Sequence, residues 1–228
     1  MPDPTPIDIP RYLARLPMFG DLEPAELARL ATGCRLETFA RGDTVFRMGD
    51  PCDRFHVVVE GQVKLFVVSP DGHEKVIELI GPDGSFAEAM VFLGRPCPVN
   101  AEVLTEARLL SVARDAIVPE IERDGRLALR MLAGLSRRLH GLVTDVQAYA
   151  LQNGVQRVVG YLLRDLDGAD GAVTVSLPVS KATLASRLSL TPEYFSRVLR
   201  ELEEAGLIEV DRRDIRLLDP ARLASYPG

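Results

Sequence analysis

Long hydrophobic runs are missing from this 228-residue sequence, and its first residues do not resemble a leader. No apolar stretch reaches the roughly 18 residues that a transmembrane helix needs, so we expect no membrane partner. The opening Met-Pro-Asp-Pro-Thr-Pro has neither a basic region nor an apolar core, so we expect no secretory signal. A hydrophobic fraction of 46% and a charged fraction of 26% are typical of soluble globular proteins, and we expect a cytoplasmic location.

Cysteine patterns of disulfide, redox and metal sites are also missing. The three cysteines, Cys34, Cys52 and Cys97, are widely separated and form no Cys-x-x-Cys pair, so we expect free thiols. A cluster site built from cysteine alone needs four ligands, so we expect no iron–sulfur cluster. The sequence contains no nucleophile–base pair, metal-ligand spacing or phosphate-binding loop, so it does not predict an enzyme.

A net charge of −6 argues weakly against a nucleic-acid partner when the chain is taken whole. The acidic excess lies mostly in residues 1–150, whereas residues 151–228 are nearly neutral. Between positions 180 and 197 the charges are Lys181, Arg187 and Arg197 against Glu193. Affinity for phosphates depends on the charge at the interface, so this part of the chain is the candidate for DNA binding.

A short stretch near the C-terminus has the pattern of a helix that reads DNA. Thr191 suits the N-cap, Pro192 suits the first helical position, and Gly206 is placed to end the helix. Because arginine pairs with guanine O6 and N7 and a carboxylate accepts from cytosine N4, Glu193 and Arg197 are predicted base readers. The polar face holds Glu193, Ser196, Arg197 and Arg200, and the opposite face holds Phe195, Val198, Leu199 and Leu202.

Residues 1–120 are predicted to form a β-roll that senses an effector. Residues 7–31 look helical, with a capping signal at Asp21–Pro24, and glycine turns separate β-type runs from about residue 34 to 114. Several strands at this spacing favour an antiparallel barrel or jelly roll. The predicted strands are Thr44–Phe46, Phe55–Val59, Gln62–Val68, Lys75–Ile80 and Arg108–Val112.

Residues 121–150 are predicted to be a dimerisation helix, at the end of a helical pattern that spans 115–150. Apolar residues there alternate spacings of four and three over about three heptads, which is typical of a two-stranded coiled coil. We therefore expect a homodimer. The predicted seam is Ala128, Leu132, Leu135, Leu139, Leu142, Val146 and Tyr149.

Residues 151–228 are predicted to form a winged helix-turn-helix. Asn153-Gly154 breaks the helical pattern and is a candidate hinge. The predicted elements are a helix at 155–166, a loop at 167–171, a strand at 173–175, helices at 180–188 and 191–205, and a hairpin of 207–210 with 215–218. The complete prediction is an α+β protein with a β-roll, a long dimerisation helix and a winged helix-turn-helix.

The predicted DNA contacts extend beyond the base readers. The N-terminal amides of the first motif helix can hold a backbone phosphate, and arginines along the motif and at the wing tip suit further phosphates. The full predicted set is Ser180, Lys181, Arg187, Thr191, Glu193, Tyr194, Ser196, Arg197, Arg200, Arg212 and Arg213.

The order of β-roll, dimer helix and winged helix resembles the CRP/FNR family of bacterial transcription regulators over nearly the whole chain. Glu193-Tyr-Phe-Ser196-Arg197 is similar to the FNR-type pattern Glu-x-x-Ser-Arg, and Pro192 stands where CRP itself has an arginine. The resemblance implies a homodimer that works with RNA polymerase on double-stranded DNA, at an inverted repeat of TTGAT-type half-sites. The matching β-roll runs are Phe46-x-x-Gly49-Asp50 and Phe55-x-Val57-x-x-x-Gly61-x-Val63-Lys64-Leu65.

Within the family, several runs resemble the Dnr-type regulators of denitrification, which use haem to sense nitric oxide. The resemblance implies haem as a cofactor. His56, His73 and His140 are the histidines of the chain, and His140 is the candidate ligand because it adjoins seam residue Leu139. It also suits an ordinary half-buried position. The matching runs are Phe86–Met90, Leu135–His140, Arg157–Leu163 and Pro192–Arg197.

Other effectors of the family are less favoured by the sequence. Members that bind cyclic nucleotide have Gly-Glu-x-x-Leu and, about ten residues later, Arg-Ser/Thr-Ala. Glu88 is kept here but residues 98–101 hold no arginine, so a buried phosphate would lack its partner and we do not expect a cyclic nucleotide. No cysteine precedes Cys34 to hold the FNR-type iron–sulfur cluster. The predicted effector pocket is Phe86, Glu88, Met90, Phe92, Leu132 and Leu135, which also suit an ordinary core.

Two functional hypotheses remain open at this point. In the first, effector binding repacks the dimer helix and rotates the C-terminal domains about Asn153-Gly154 until both reading helices fit successive major grooves. In the second, the β-roll regulates an enzyme or a scaffold and the C-terminal domain binds protein. DNA binding discriminates between them.

Overall fold

A computed structural model describes residues 7–20, 22–164, 166 and 172–227, without the side chain of Tyr149. The chain divides into two compact units, one formed by Met1–Val67 with Ile77–Leu139 and the other by Val68–Val76 with His140–Gly228. The predicted α+β class is confirmed. Within the described residues, no helix is long and apolar enough to cross a membrane.

The β-roll consists of two four-stranded antiparallel sheets. Their strand orders are β1-β8-β3-β6 and β2-β7-β4-β5. The strands are β1 Cys34–Phe39, β2 Thr44–Phe46, β3 Arg54–Glu60, β4 Val63–Val68, β5 Glu74–Ile80, β6 Ser85–Phe86, β7 Asn100–Val103 and β8 Ala107–Ala113. The helices of this part are α1 Ile9–Arg15, α2 Pro24–Thr32, α3 Glu88–Leu93 and α4 Arg114–Arg123, and helix α5 Gly125–Leu151 has residues in both units. All five predicted strands are present, while β1, β6, β7 and α3 had not been singled out.

The burial of β8 follows from its place in the sheet. It pairs with β1 on one side and β3 on the other, and six of its seven residues are buried. The turn before β4 is equally crowded, because a Cβ at Gly61 would lie 2.4 Å from the Glu106 carbonyl oxygen. Gly61 also has a φ of 86°, which favours glycine. Packing and backbone conformation therefore both require glycine there.

Two helical patterns of the sequence are divided in the structure. The 7–31 pattern is two helices, and a capping box between Glu23 and Glu26 begins α2. The 115–150 pattern is also two helices, because Asp124 has extended angles of φ −135° and ψ 102°. Its carboxylate accepts from the Arg126 N–H at 2.9 Å, as an N-capping side chain does. A continuous helix over 115–150 was therefore wrong, and the long helix begins at Gly125.

The second unit contains a winged helix-turn-helix. Its helices are α6 Gly154–Leu163, α7 Lys181–Arg187, α8 Pro192–Glu204 and α9 Pro220–Ala224, and β9 Val173–Ser176, β10 Ile208–Asp211 and β11 Asp214–Leu217 form a sheet in the order β10-β11-β9. The helix predicted to reach residue 166 ends at Leu163. The predicted loop at 167–171 lies outside the described residues.

An aromatic cluster fills part of the β-roll around His56. The His56 ring stacks on Phe86 at a centroid distance of 5.1 Å, and the Phe46 ring lies 6.1 Å away. Burial lowers the pKa of His56 to about 4. Its Nδ1 is buried and has no hydrogen-bond partner among the described residues. The imidazole is therefore a neutral core side chain.

The His56 environment predicts an acid-sensitive fold. The folded-state pKa lies below the unfolded value, so the unfolded chain takes up the proton first and stability falls as pH drops from about 6.5 towards 4. We expect a loss of about 2 kcal/mol between pH 7.5 and pH 5, measured by urea unfolding. His56→Phe should flatten this pH dependence, and His73→Phe, at an exposed turn position, should not. Equal slopes in both variants would contradict the assignment.

Candidate functional site

The helix-turn-helix is shaped by local capping bonds. Ser180 caps α7 by accepting from the Thr183 N–H at 3.1 Å, and Thr191 caps α8 by accepting from the Tyr194 N–H at 3.2 Å. Pro192 occupies the first turn of α8, and Gly206 follows the helix with a φ of 66°. Helix boundaries expected from these residue types are thus present in the structure.

Helix α8 has one buried face and one exposed face, as predicted. Its four apolar residues, Phe195, Val198, Leu199 and Leu202, are almost fully buried, while Glu193, Ser196, Arg197 and Arg200 are exposed. The Ser196 hydroxyl donates to the Pro192 carbonyl oxygen at 2.9 Å. The Arg197 guanidinium lies over the Tyr194 ring, with its carbon 4.7 Å from the ring centroid. The structure therefore brings the predicted base readers together on one surface.

Side chains that the sequence did not single out support the turn between α7 and α8. Arg157 of α6 donates to the carbonyl oxygens of Leu188 at 2.7 Å and Ser189 at 3.3 Å. Lys75, in the part of the second unit contributed by residues 68–76, donates to the carbonyl oxygens of Ser186 at 2.7 Å and Arg187 at 3.1 Å. Burial lowers the pKa of Lys75 to about 8. Long-range contacts of this kind leave no signal in the sequence pattern.

The predicted phosphate contacts differ in how available they are. Arg212 and Arg213 are exposed at the tip of the wing, where Arg212 has a φ of 54°. The Arg187 guanidinium instead forms an ion pair with Asp145, and its side chain is only 13% exposed. Lys181 is half-buried in the first turn of α7. Among the predicted phosphate contacts, Arg200 and the two wing arginines are therefore exposed, whereas Arg187 and Lys181 are partly buried.

Much of the predicted dimer seam is solvent-exposed in the single chain. On α5, Leu132, Leu139 and Val146 are 57%, 63% and 64% exposed. Ala128 and Leu135 are half-buried, and Leu142 is exposed. The Tyr149 side chain lies outside the described residues. A helix with this much exposed aliphatic surface has a face suited to a partner.

A cavity of about 490 Å³ lies in the first unit between residues 16–18, the β5–β6 connection and α5. Two residues of the predicted effector pocket, Glu88 and Leu135, line it. Phe86 is instead stacked on His56 in the core, and Met90, Phe92 and Leu132 do not line this cavity.

An unexpected ion cluster forms one wall of this cavity. Arg138 Nε donates to the Glu78 carboxylate at 2.9 Å, and its Nη1 donates to the Ser85 carbonyl oxygen at 3.1 Å and to Glu88 at 3.4 Å. The Ser85 hydroxyl also donates to Glu88. The guanidinium thereby compensates two carboxylates, one of which is almost fully buried.

The cavity offers haem iron no imidazole, thiolate or phenolate ligand, although Met18 and Met131 line it. Its lining residues include no histidine, cysteine or tyrosine, and His140 is exposed and does not line it. The described residues contain no group of three His, Cys, Asp or Glu side chains that could hold a metal ion. The three cysteines are free, and burial raises the pKa of Cys34 and of Cys52 to about 12.

Comparisons with known proteins match both parts of the chain. Residues 36–124 match the model of a cyclic nucleotide-binding domain, and residues 156–226 match that of a Crp-like helix-turn-helix domain. The CRP-like cAMP-activated global transcriptional regulator of Mycobacterium tuberculosis is 29% identical over 216 residues, covering 93% of this chain and 96% of the relative. The nitrogen fixation regulation protein FixK of Bradyrhizobium diazoefficiens is 30% identical over 206 residues, with 89% and 86% covered.

A solved structure is also similar. The crystal structure of DNR from Pseudomonas aeruginosa has a TM-score of 0.51 and 34% identity, and the match covers 93% of this chain and 95% of that chain.

The Arg138 cluster gives a prediction about stability. Arg138→Met would leave the buried Glu88 carboxylate without its cation, so we expect a loss of about 1–3 kcal/mol in the free energy of unfolding. The measurement is urea unfolding at a fixed protein concentration. The control is Arg137→Met, which removes the same charge from an exposed neighbour and should cost less than about 0.5 kcal/mol. A similar loss in both variants would rule out a structural role for the cluster.

Proposed function

Because the chain belongs to the CRP/FNR family of transcription regulators, we propose that it binds, as a homodimer, an inverted repeat of TTGAT-type half-sites and acts there with RNA polymerase under the control of an effector. The chain is a DNA-binding regulator and its relatives are not enzymes. The half-site, the effector and the polymerase contact belong to the proposal.

The exposed face of α8 is the observation that supports the proposed half-site. Glu193 and Arg197 lie one turn apart on this face, and both are exposed. A carboxylate and a guanidinium in this order can accept from cytosine N4 and donate to guanine O6 and N7 within one major groove. Pro192 has no side-chain donor at the position where CRP itself has an arginine. These features favour an FNR-type half-site over the CRP type.

The apolar face of α5 supports the homodimer. A second copy of the helix would bury the exposed leucines and valines and would place two α8 helices about a two-fold axis. Two reading helices related in this way match an inverted repeat.

The 490 Å³ cavity is the site that we propose for the effector, because α5 and its seam residue Leu135 form part of its wall. A ligand there contacts the dimerisation helix directly. A place in the Dnr-type branch is supported by the 34% identity to DNR. Haem and nitric oxide rest on that resemblance alone, since the cavity lining offers haem iron no histidine, cysteine or tyrosine.

Cyclic AMP is the second candidate effector. The match to a cyclic nucleotide-binding domain and the cAMP-activated relative favour it. The segment that carries the phosphate-binding arginine in nucleotide-binding members holds Asn100 here. Its amide donates to the Phe66 carbonyl oxygen at 3.3 Å and accepts from the Met48 N–H at 3.0 Å. A nucleotide phosphate would therefore need a different cation.

DNA binding tests the proposal directly. Arg197→Ala should raise the Kd for a labelled TTGAT-N4-ATCAA duplex by at least about thirtyfold, because a bidentate guanine contact worth about 1–3 kcal/mol is lost in each of the two half-sites. Fluorescence anisotropy at one stated salt concentration measures this. The matched control is Arg95→Ala, which removes an exposed arginine of the β-roll and should leave the Kd unchanged.

The same titration is repeated with cyclic AMP, with haem, and with haem and nitric oxide. Equal affinity in every condition would exclude control by these effectors. Failure of the wild-type protein to prefer this duplex over an unrelated one would contradict the half-site.

The dimer gives a separate prediction. Leu139→Glu should raise the dimer dissociation constant at least about a hundredfold, because each dimer would bury two carboxylates in its seam. Sedimentation velocity over a range of concentrations measures the equilibrium. Gln147→Glu adds the same charge beside the seam and should leave the dimer intact. If both variants stay dimeric, α5 does not form the interface.

A further inference from the structure

We propose that Tyr194 is a positioning residue for DNA reading: its ring holds the guanidinium of Arg197, and the missing side chain of Gly154 leaves the space that holds the ring. The inference rests on the proposed function, because it concerns how Arg197 is presented to a base. It adds the first residue of α6 to the determinants of sequence recognition.

The first step is the contact between Gly154 and Tyr194. A Cβ at Gly154 would lie 2.3 Å from Tyr194 Cε1, 2.9 Å from Cζ and 3.0 Å from the hydroxyl oxygen. Atoms that are not bonded do not approach so closely, so the ring occupies the volume that any other residue would fill. Gly154 does not have a positive φ, so the backbone does not require glycine there. The requirement is set by the ring.

The second step is that the backbone beneath the ring is fixed. Asn153 caps α6, its side chain accepting from the Gln156 N–H at 2.9 Å while the Gln156 side chain accepts from the Asn153 N–H at 3.0 Å. This reciprocal pair holds the first turn of α6. Arg157, the fourth residue of α6, donates to the turn that precedes α8. The ring therefore packs against a surface that is itself restrained.

The third step is the contact between Tyr194 and Arg197. The two residues are three apart on α8, and the guanidinium carbon is 4.7 Å from the ring centroid, within the range of a cation–π contact. Arg197 is otherwise exposed, and a free arginine side chain has many rotamers to lose when it binds. Stacking on a fixed ring removes part of that freedom before DNA arrives.

The arrangement also changes the role expected of Tyr194. The sequence placed it among the direct DNA contacts. In the structure the residue is half-buried, with its hydroxyl edge against Gly154 and its face under Arg197. The aromatic face is thus the part of Tyr194 that holds Arg197, and the hydroxyl group is not needed for that contact.

The experiment compares two duplexes, one with TTGAT half-sites and one in which adenine replaces each guanine. Tyr194→Leu keeps apolar volume but removes the aromatic face, and it should lower the discrimination between the duplexes about two- to fivefold per half-site. Tyr194→Phe keeps the face and should retain the wild-type ratio. Thermal unfolding of each variant checks that the fold is intact.

Gly154→Ala tests the second contact. The new methyl group would push the ring away from Gly154, so discrimination should fall as it does in Tyr194→Leu. The double variant with Gly154→Ala and Tyr194→Leu should lose no more discrimination between the duplexes than Tyr194→Leu alone, because both changes remove the same interaction. Gly160→Ala is the control, since a Cβ at that position of α6 meets nothing within 4 Å. It should behave as wild type.

A readout without DNA separates this inference from the proposed half-site. Relaxation of the Arg197 side-chain Nε in the full-length protein should show greater motion in Tyr194→Leu and Gly154→Ala than in wild type, Tyr194→Phe or Gly160→Ala. Unchanged motion in Tyr194→Leu, or a loss of discrimination in Tyr194→Phe as large as in Tyr194→Leu, would overturn the proposal. A wild-type protein that does not discriminate would contradict the half-site, and the relaxation data would still decide whether Tyr194 holds Arg197.

Discussion

Exposure of the aliphatic seam of α5 in the single chain is the constraint from which the proposed assembly follows. A single chain folds a β-roll and a winged helix with well-buried cores, yet it leaves Leu132, Leu139 and Val146 more than half exposed. Burial of such side chains is favourable by about 1.5–3 kcal/mol each, which a second copy of the helix can supply. A dimer formed about this seam would have two-fold symmetry, which is the symmetry of the inverted repeat proposed as its target.

In the proposed mode of DNA reading, residues that contact no base support the reading helix. The reading face of α8 is small and exposed, but Arg157 restrains the turn before it and Gly154 leaves room for the ring beneath its arginine. Both supporting residues belong to the first turn of α6. Substitutions in the first turn of α6 are therefore expected to change both the preference for a DNA sequence and the stability of the fold.

Local rules were sufficient for much of the fold and of the DNA-reading helix. Thr191 caps the N-terminus of α8 with its side chain, Pro192 suits the first turn, and Gly206 adopts the positive φ that ends the helix. The bounds of α8 could therefore be predicted from these residues within one position. The break at Asp124 was missed because apolar periodicity continues across it. The Arg138 cluster could not be predicted, since its carboxylates lie 50 and 60 positions away and only the folded roll brings them together.

The extended backbone at Asp124 has a mechanical consequence. A continuous helix transmits torsion along its length, because each turn is bonded to the next. Where α4 ends and α5 begins, two soft dihedral angles replace that rigid connection. A twist of α5 is therefore not passed to α4 along a continuous helix, and it acts on the roll through the side chains of α5 that pack there, Leu127, Met131 and Arg138. A change at the cavity wall would therefore reach α5 by repacking of these side chains and not by torsion of the backbone from β8.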